Sequence, residues 1–341
     1  MPLSQREEFE LGTFPLQSGH DIPDAILSYA TFGKLNAEKS NLILYPTSYG
    51  VTDAETRWLI APGKVLNPDE YFIVIPNMLG NSASTSPSHF RDTYGGGDIP
   101  RFTHVDNVTA QRRLLQEVFG IEKIALIYGW SMGAQQALHW GALHPEMVAR
   151  ICAICGTAKT TPHNRVFLDG LRAALCADSA FEDGWFKGHP ERGLRAMARV
   201  YAGWAMSQAF YRERAYEKMG FSSQEDYILG AWEEVFLRRN ADDLISMIET
   251  WLSSDISNNS KFNGDLDAAL GSISARTRMI ASQRDLYFRS HDVRENASRM
   301  PNAEFHELES LWGHRAGNPE GNTEDTAALR RHVDGLLYDF S

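Results

Sequence analysis

Polar and apolar positions along the chain follow two different periods. Between residues 9 and 33, FELGTF and AILSYATFG are rich in aromatic and apolar residues and flank the turn-forming QSGHDIPD, which predicts an antiparallel hairpin. Short, almost wholly apolar runs follow: NLILYPT (41–47), YFIVIPN (71–77) and KIALIYG (123–129), each running into a polar or glycine-rich loop. Strands so uniformly apolar belong in a parallel sheet covered on both faces. Between the last two runs, DNVTAQRRLLQEVFG (106–120) sets Val108, Leu114, Leu115, Val118 and Phe119 at helical spacing and stops at Gly120. A helix over 132–144 and a strand over 148–155 continue the alternation that defines the α/β class.

After Gly156 the periodicity changes. From about 160 to 270 the segments are helical and rich in Trp, Met, Tyr and Arg, with no buried strand evident. The sheet pattern resumes at RTRMIAS (276–282) and continues with a helix near 291–299, AEFHEL (303–308) and a last helix from about 323 to 339. The chain therefore divides into a core of residues 1–156 and 271–341 and an inserted helical cap of residues 157–270. No repeat or low-complexity linker interrupts it.

Composition narrows the possibilities. At 341 residues with 43% hydrophobic residues the chain has material for a large core. Its 33 Lys plus Arg against 44 Asp plus Glu give a net charge of −11, which repels a phosphate backbone and excludes nucleic acid as the expected partner. The opening MPLSQREEFELG has no basic segment followed by an apolar stretch, and no run of eighteen apolar residues occurs, so the expectation is a cytoplasmic protein with no membrane span. Of the three cysteines, Cys152 and Cys155 form a CxxC, but they lie in the strand-like VARICAICG and read as buried free thiols. No second Cys or His pair stands at zinc spacing, so no metal is expected.

The chemistry-bearing signal is Gly129, Trp130, Ser131, Met132, Gly133, a GxSxG set between the strand 123–128 and the helix AQQALHW. A serine hydroxyl becomes a useful nucleophile when a tight strand-to-helix turn exposes it and a helix N-terminus faces the developing negative charge. That context is the nucleophile elbow of an α/β-hydrolase fold, a mostly parallel sheet with helices on both faces. Met132 N–H is the expected first oxyanion donor. The second comes from the loop PTSYG (46–50), with Ser48 N–H favoured and Thr47 or Tyr49 as alternatives. In this fold the acid follows the serine in the chain and the histidine follows the acid. Strand RTRMIAS leads into QRDLYF, which selects Asp285, with Asp292 as the fallback. LWGHRAG, between AEFHEL and the last helix, selects His314 over His306, His139 and His144.

Taken together, IPNMLGNSASTSPS, DNVTAQRRLL, GWSMGAQQALHW, RDLYF and GHRAG resemble the homoserine O-acetyltransferase family over nearly the whole chain. The resemblance implies an α/β-hydrolase core with a helical cap, ping-pong chemistry through Ser131, Asp285 and His314, and a homodimer paired through cap helices. Three positions depart from that family: Trp130 and Ala134 stand where glycines are usual, and Arg315 stands where an aspartate normally helps to hold the amino group of homoserine. Arg199, in GLRAMARVYAGW, is the counterpart suggested for a cap arginine that holds the substrate carboxylate. Trp130, Arg199 and Arg315 are thus candidate substrate-binding residues, while Trp185 and Trp204 are either pocket walls or, more simply, core.

The resulting expectation is a serine acyl-transfer enzyme acting on a small ester or thioester, with water or an alcohol as acceptor and no resident cofactor, acyl-CoA entering only as a co-substrate. Acetyl-CoA-dependent acetylation of homoserine is the second reading. A ligand-binding protein without catalysis is the third.

Overall fold

The computed structural model describes residues 6–90 and 100–338; the first five residues and the expected helix end at 339 lie outside these. The predicted hairpin is β1 (Glu7–Pro15) and β2 (Asp21–Phe32), paired antiparallel. The apolar runs become β3 (Leu42–Leu44), β4 (Phe72–Pro76), β5 (Leu126–Trp130) and β6 (Arg150–Ile154), with α1 (His104–Glu117) before β5 and α2 (Met132–Leu143) after it. The helical insertion then runs through α3 (Pro162–Cys176), a two-residue hairpin β7 (Phe181–Glu182) and β8 (Trp185–Phe186), α4 (Glu191–Ala205), α5 (Gln208–Arg212), α6 (Gln224–Tyr227), a π-helical turn (Ile228–Glu233), α7 (Glu234–Leu237) and α8 (Ala241–Leu252). The chain returns through α9 (Leu266–Gly271) to β9 (Arg276–Ser282), α10 (Ser290–Ser298), β10 (Ala303–Leu308) and α11 (Thr323–Leu337).

Eight strands form one sheet in the order β1-β2-β4-β3-β5-β6-β9-β10. The pairs from β4 through β10 are all parallel, and β2 joins β4 antiparallel at the hairpin edge. Because alternate side chains leave opposite faces, each central strand feeds two cores. Leu42, Leu44, Val74, Ile127, Ile151, Ala153, Met279 and Ala281 pack with α1, α2, α9 and α10 on one face. Ile43, Ile73, Ile75, Leu126, Tyr128, Ile154 and Ile280 pack with Leu329, Val333 and Leu336 of α11 on the other. The uninterrupted apolar runs are thus explained by burial on both sides.

The insertion differs from expectation in two places. Trp185 and Phe186 of the short hairpin are buried, in a strand too short for any periodicity to announce it. Around the π-helical turn, the buried Glu233 carboxylate accepts from Arg195 and from Arg199 Nε, each at 2.5 Å. The insertion has its own apolar core, in which Phe167, Leu171, Met197, Tyr201, Ile248 and Trp251 meet Tyr49, Met132 and Tyr287 from the sheet domain.

Two buried histidines lie between the first two helices. His104 of α1 and His139 of α2 stand edge to face at 5.1 Å, and His139 Nδ1 shares a hydrogen with the Gln135 carbonyl at 2.8 Å. Burial pushes the His139 imidazole down to about 4 and the His104 imidazole well below its usual value, the neighbouring His139 adding to the latter. Well above pH 6.5 both rings are neutral whether folded or not. As pH falls through that value the unfolded chain takes protons that the folded chain refuses, so stability is lost. Thermal unfolding should therefore show Tm falling from pH 7 to pH 5, with a shallower fall in His139→Asn. Parallel curves for the two proteins would show that the pair does not govern acid stability.

Candidate active site

The turn between β5 and α2 is built on close backbone approach. Ser131 sits at φ 58 and ψ −126, a left-handed and strained conformation for a residue with a Cβ, and its N–H bonds to the Ile154 carbonyl at 2.9 Å. A Cβ at Gly129 would collide with the Gly133 carbonyl oxygen, and one at Gly133 would lie 2.7 Å from the Pro46 carbonyl oxygen. The two glycines of GxSxG are therefore required by contact. Ser48 ties the neighbouring loop to this turn: its hydroxyl donates to the Trp130 carbonyl and accepts from Gly133 N–H at 3.2 Å. Gln136 of α2 adds a bond to the Thr47 carbonyl at 2.8 Å.

This tethering places the expected oxyanion donors. Met132 N–H opens a helix and has no acceptor within it. Thr47 N–H reaches the Pro76 carbonyl at 3.4 Å, which removes Thr47 from the alternatives. Among the described residues, neither Met132 N–H nor Ser48 N–H donates a hydrogen bond.

Beyond the ends of β9 and β10, Asp285 and His314 meet. Asp285 Oδ1 accepts from Tyr287 N–H and Phe288 N–H, both at 3.0 Å, and Oδ2 lies 2.7 Å from His314 Nδ1. Two backbone donors and one imidazole thus satisfy a fully buried carboxylate, which fixes His314 as the tautomer with hydrogen on Nδ1. The ring is further held by Tyr287 at 4.3 Å and Trp130 at 5.0 Å. The Trp130 indole N–H donates to the His314 carbonyl at 3.2 Å, so the residue before the serine also fixes the loop that carries the histidine. Among the described residues the buried His314 Nε2 has no hydrogen-bond partner, and Ser131 Oγ forms no hydrogen bond with it. Asp292 lies in α10, and His306 lies on β10 beside Glu304; neither takes part in the Asp285–His314 pair.

His314 opens onto a cavity of about 430 Å³ between the sheet domain and the insertion. Trp130 and Arg315 line it, together with Tyr201, Tyr227, Trp232 and Tyr287. The Arg315 guanidinium lies 5.6 Å from the Trp130 ring centre. Arg199 does not reach the cavity: besides Glu233 it binds Glu225 at 2.5 Å, and its side chain is 43% exposed. The suggestion that it holds substrate is corrected accordingly; it serves the ion-pair network behind the cavity wall. Trp185 and Trp204 are not part of the lining either, Trp185 being core and Trp204 packing on Phe167 at 5.0 Å. No signal in the sequence marks Tyr227, which precedes the π-helical turn, or Trp232, which lies within it; neither carries a motif.

Cys155, Asp285 and His314 place potential ligand atoms within 4.8 Å of one another. A metal fits poorly there. His314 Nδ1 is committed to Asp285, and burial followed by the Asp285 charge drives the Cys155 thiol well above its usual range, so the thiolate a metal needs is disfavoured.

Residues 58–316 match the family of the alpha/beta hydrolase fold. An ethyl acetate hydrolase of Pseudomonas veronii is 35% identical, covering 90% of this chain and 88% of that protein. A homoserine O-acetyltransferase of Chlorobaculum parvum is 31% identical, covering 89% and 87%. The crystal structure of an acetylester hydrolase from Corynebacterium glutamicum superimposes with a TM-score of 0.94 at 31% identity, covering 98% of this chain and 96% of that one.

The close approach at Gly133 yields a test. Gly133→Ala is expected to lower the unfolding free energy by on the order of 1 to 3 kcal/mol, because the added methyl meets backbone rather than a yielding side chain. Chemical denaturation should show a lower midpoint at unchanged slope; an unchanged midpoint would mean that the 46–50 loop yields without cost.

Proposed function

The chain belongs to the α/β-hydrolase fold family, and from that premise we propose that it is a serine esterase cleaving small acyl esters with water as acceptor. Its class, hydrolase or acyltransferase, follows from its relatives. The observation that carries the finer reading is the His314 ring: Nδ1 is held by Asp285 while the buried Nε2 is left without a partner at the cavity. A base needs just such a free nitrogen, oriented by a second group.

In the proposed course Ser131 Oγ attacks the ester carbonyl carbon as His314 Nε2 takes its proton. The carbonyl oxygen becomes an oxyanion received by Met132 N–H and Ser48 N–H, each donor of this kind contributing about 2.7 to 4 kcal/mol. The C–O bond to the alcohol then breaks, and the proton on Nε2 passes to the leaving oxygen. Water repeats the sequence on the acyl-enzyme: His314 takes its proton, a second oxyanion forms, and Ser131 leaves with that proton to release the acid. Asp285 stays ionised throughout and stabilises the imidazolium.

Homoserine is a poorer acceptor in this reading. Its ammonium would meet the Arg315 guanidinium in the cavity, and among the described residues no carboxylate pairs with Arg315 to reverse that charge.

Ser131→Ala should fold normally and lose on the order of 10⁴ to 10⁶ in kcat on a small acetyl ester, His314→Ala losing about as much. A serine-directed phosphonate should label Ser131 alone. Near-native turnover in either variant would overturn the assigned roles. Acetyl-CoA-dependent acetylation of homoserine should run well below ester hydrolysis, and a kcat/KM near 10⁴ M⁻¹s⁻¹ or above for homoserine would reverse the choice of acceptor.

A further inference from the structure

Among the cations lining the active-site cavity, one lacks a counter-ion. Arg239 is bound to Glu55, and both belong to the lining. Arg315 is half-buried, rests on Trp130, and forms an ion pair with no described residue. Its charge is nevertheless felt by the tyrosines of the cavity. Burial raises the hydroxyls of Tyr201 and Tyr227 to about 12 and that of Tyr287 well above its usual value, and the Arg315 guanidinium opposes the rise in all three.

A second donor looks into the same space. Trp232 lines the cavity and is 8% exposed, and among the described residues its buried indole N–H has no hydrogen-bond partner. Tyr227, also in the lining, lies close enough to Trp232 and Arg315 that both act on its hydroxyl. A guanidinium, an indole N–H and a phenol therefore line one cavity, whose remaining wall is largely aromatic and aliphatic with Glu55, Arg239, Asn318 and Glu320 among its polar members. A buried N–H without an acceptor is costly, as is a cation against apolar walls without an anion, and one ligand relieves both. The cavity, at about 430 Å³, has far more room than the six heavy atoms of ethyl acetate fill.

We propose that Arg315, the Trp232 N–H and the Tyr227 hydroxyl form a carboxylate subsite, so that the preferred esters carry a carboxylate on the alcohol side of the cleaved bond. One positive charge with two neutral donors matches a single carboxylate better than a dianion. The alcohol side follows from His314: its Nε2 protonates the leaving oxygen, and Arg315 adjoins it in the chain over the same Trp130 ring. The assignment rests on the esterase reading and names its substrate class.

The test compares 4-acetoxybutanoate with the isosteric neutral 4-acetoxybutanamide, reading the ratio of their kcat/KM so that a general loss of activity cancels. The wild-type enzyme should prefer the carboxylate at least tenfold, chiefly through KM, and added salt should shrink the preference. Arg315→Gln should bring the ratio near one, Arg315→Lys should retain part of it, and Trp232→Phe should reduce it. Butanoate should compete with 4-acetoxybutanamide in the wild type, an outcome independent of how any variant folds. Hydrolysis of both esters with phosphonate labelling of Ser131 but no preference, or a preference that survives Arg315→Gln, overturns the carboxylate subsite and leaves the esterase reading standing. No turnover and no labelling overturns the esterase reading itself.

Discussion

The closeness of three backbone segments at Ser131 is the constraint on which the rest depends. Strand β5, helix α2 and the loop after β3 come so near that neither Gly129 nor Gly133 leaves room for a methyl group. The strained φ of 58 at Ser131 persists because its neighbours over-determine it: the Ile154 carbonyl takes its N–H, and the Ser48 hydroxyl bridges Trp130 and Gly133. Beside that contact, Met132 N–H and Ser48 N–H donate to no acceptor among the described residues. Position and electrostatics at the site are one packing problem.

Trp130 extends that constraint outward. Its backbone belongs to β5, its ring lies beside His314, and its indole N–H holds the His314 carbonyl, so strand and histidine loop cannot shift independently. Asp285 completes the frame from β9 by satisfying its own carboxylate with two backbone donors before it meets the imidazole. Nothing in this frame comes from the insertion, which supplies much of the remaining cavity wall and the aromatic packing around it. Sheet domain and insertion thus both contribute walls to the cavity, with His314, Trp130 and Arg315 from the first and Tyr201, Tyr227 and Trp232 from the second.

Legibility in the sequence followed the range of the interactions. Strands β4 and β5 could be read because burial on both faces leaves a local signature, an unbroken apolar run. Ser131, Asp285 and His314 could be nominated because the order of elements restricts where each can stand, and the structure brings Asp285 and His314 together. Arg199 was misjudged because the direction an arginine takes from a helix depends on its partners; Glu225 and Glu233, some thirty residues further on, turn it outward. Ser48 N–H was favoured over Thr47 N–H from the sequence, and the Pro76 carbonyl claims the latter. Tyr227 and Trp232 were invisible for the same reason of range, since a π-helical turn leaves no apolar period to read.

That turn has an evolutionary consequence. A π-helical turn is an α-helical one with a residue inserted, and the extra residue offsets by roughly 100° the side chains on one side of it relative to those on the other. Removing one residue between Tyr227 and Glu233 would restore the regular ladder and turn the side chains after the deletion relative to Tyr227 before it, leaving Ser131, Asp285 and His314 untouched. Related enzymes can therefore diverge in substrate by gaining or losing a single codon in the insertion, a route that a comparison of aligned substitutions alone would overlook.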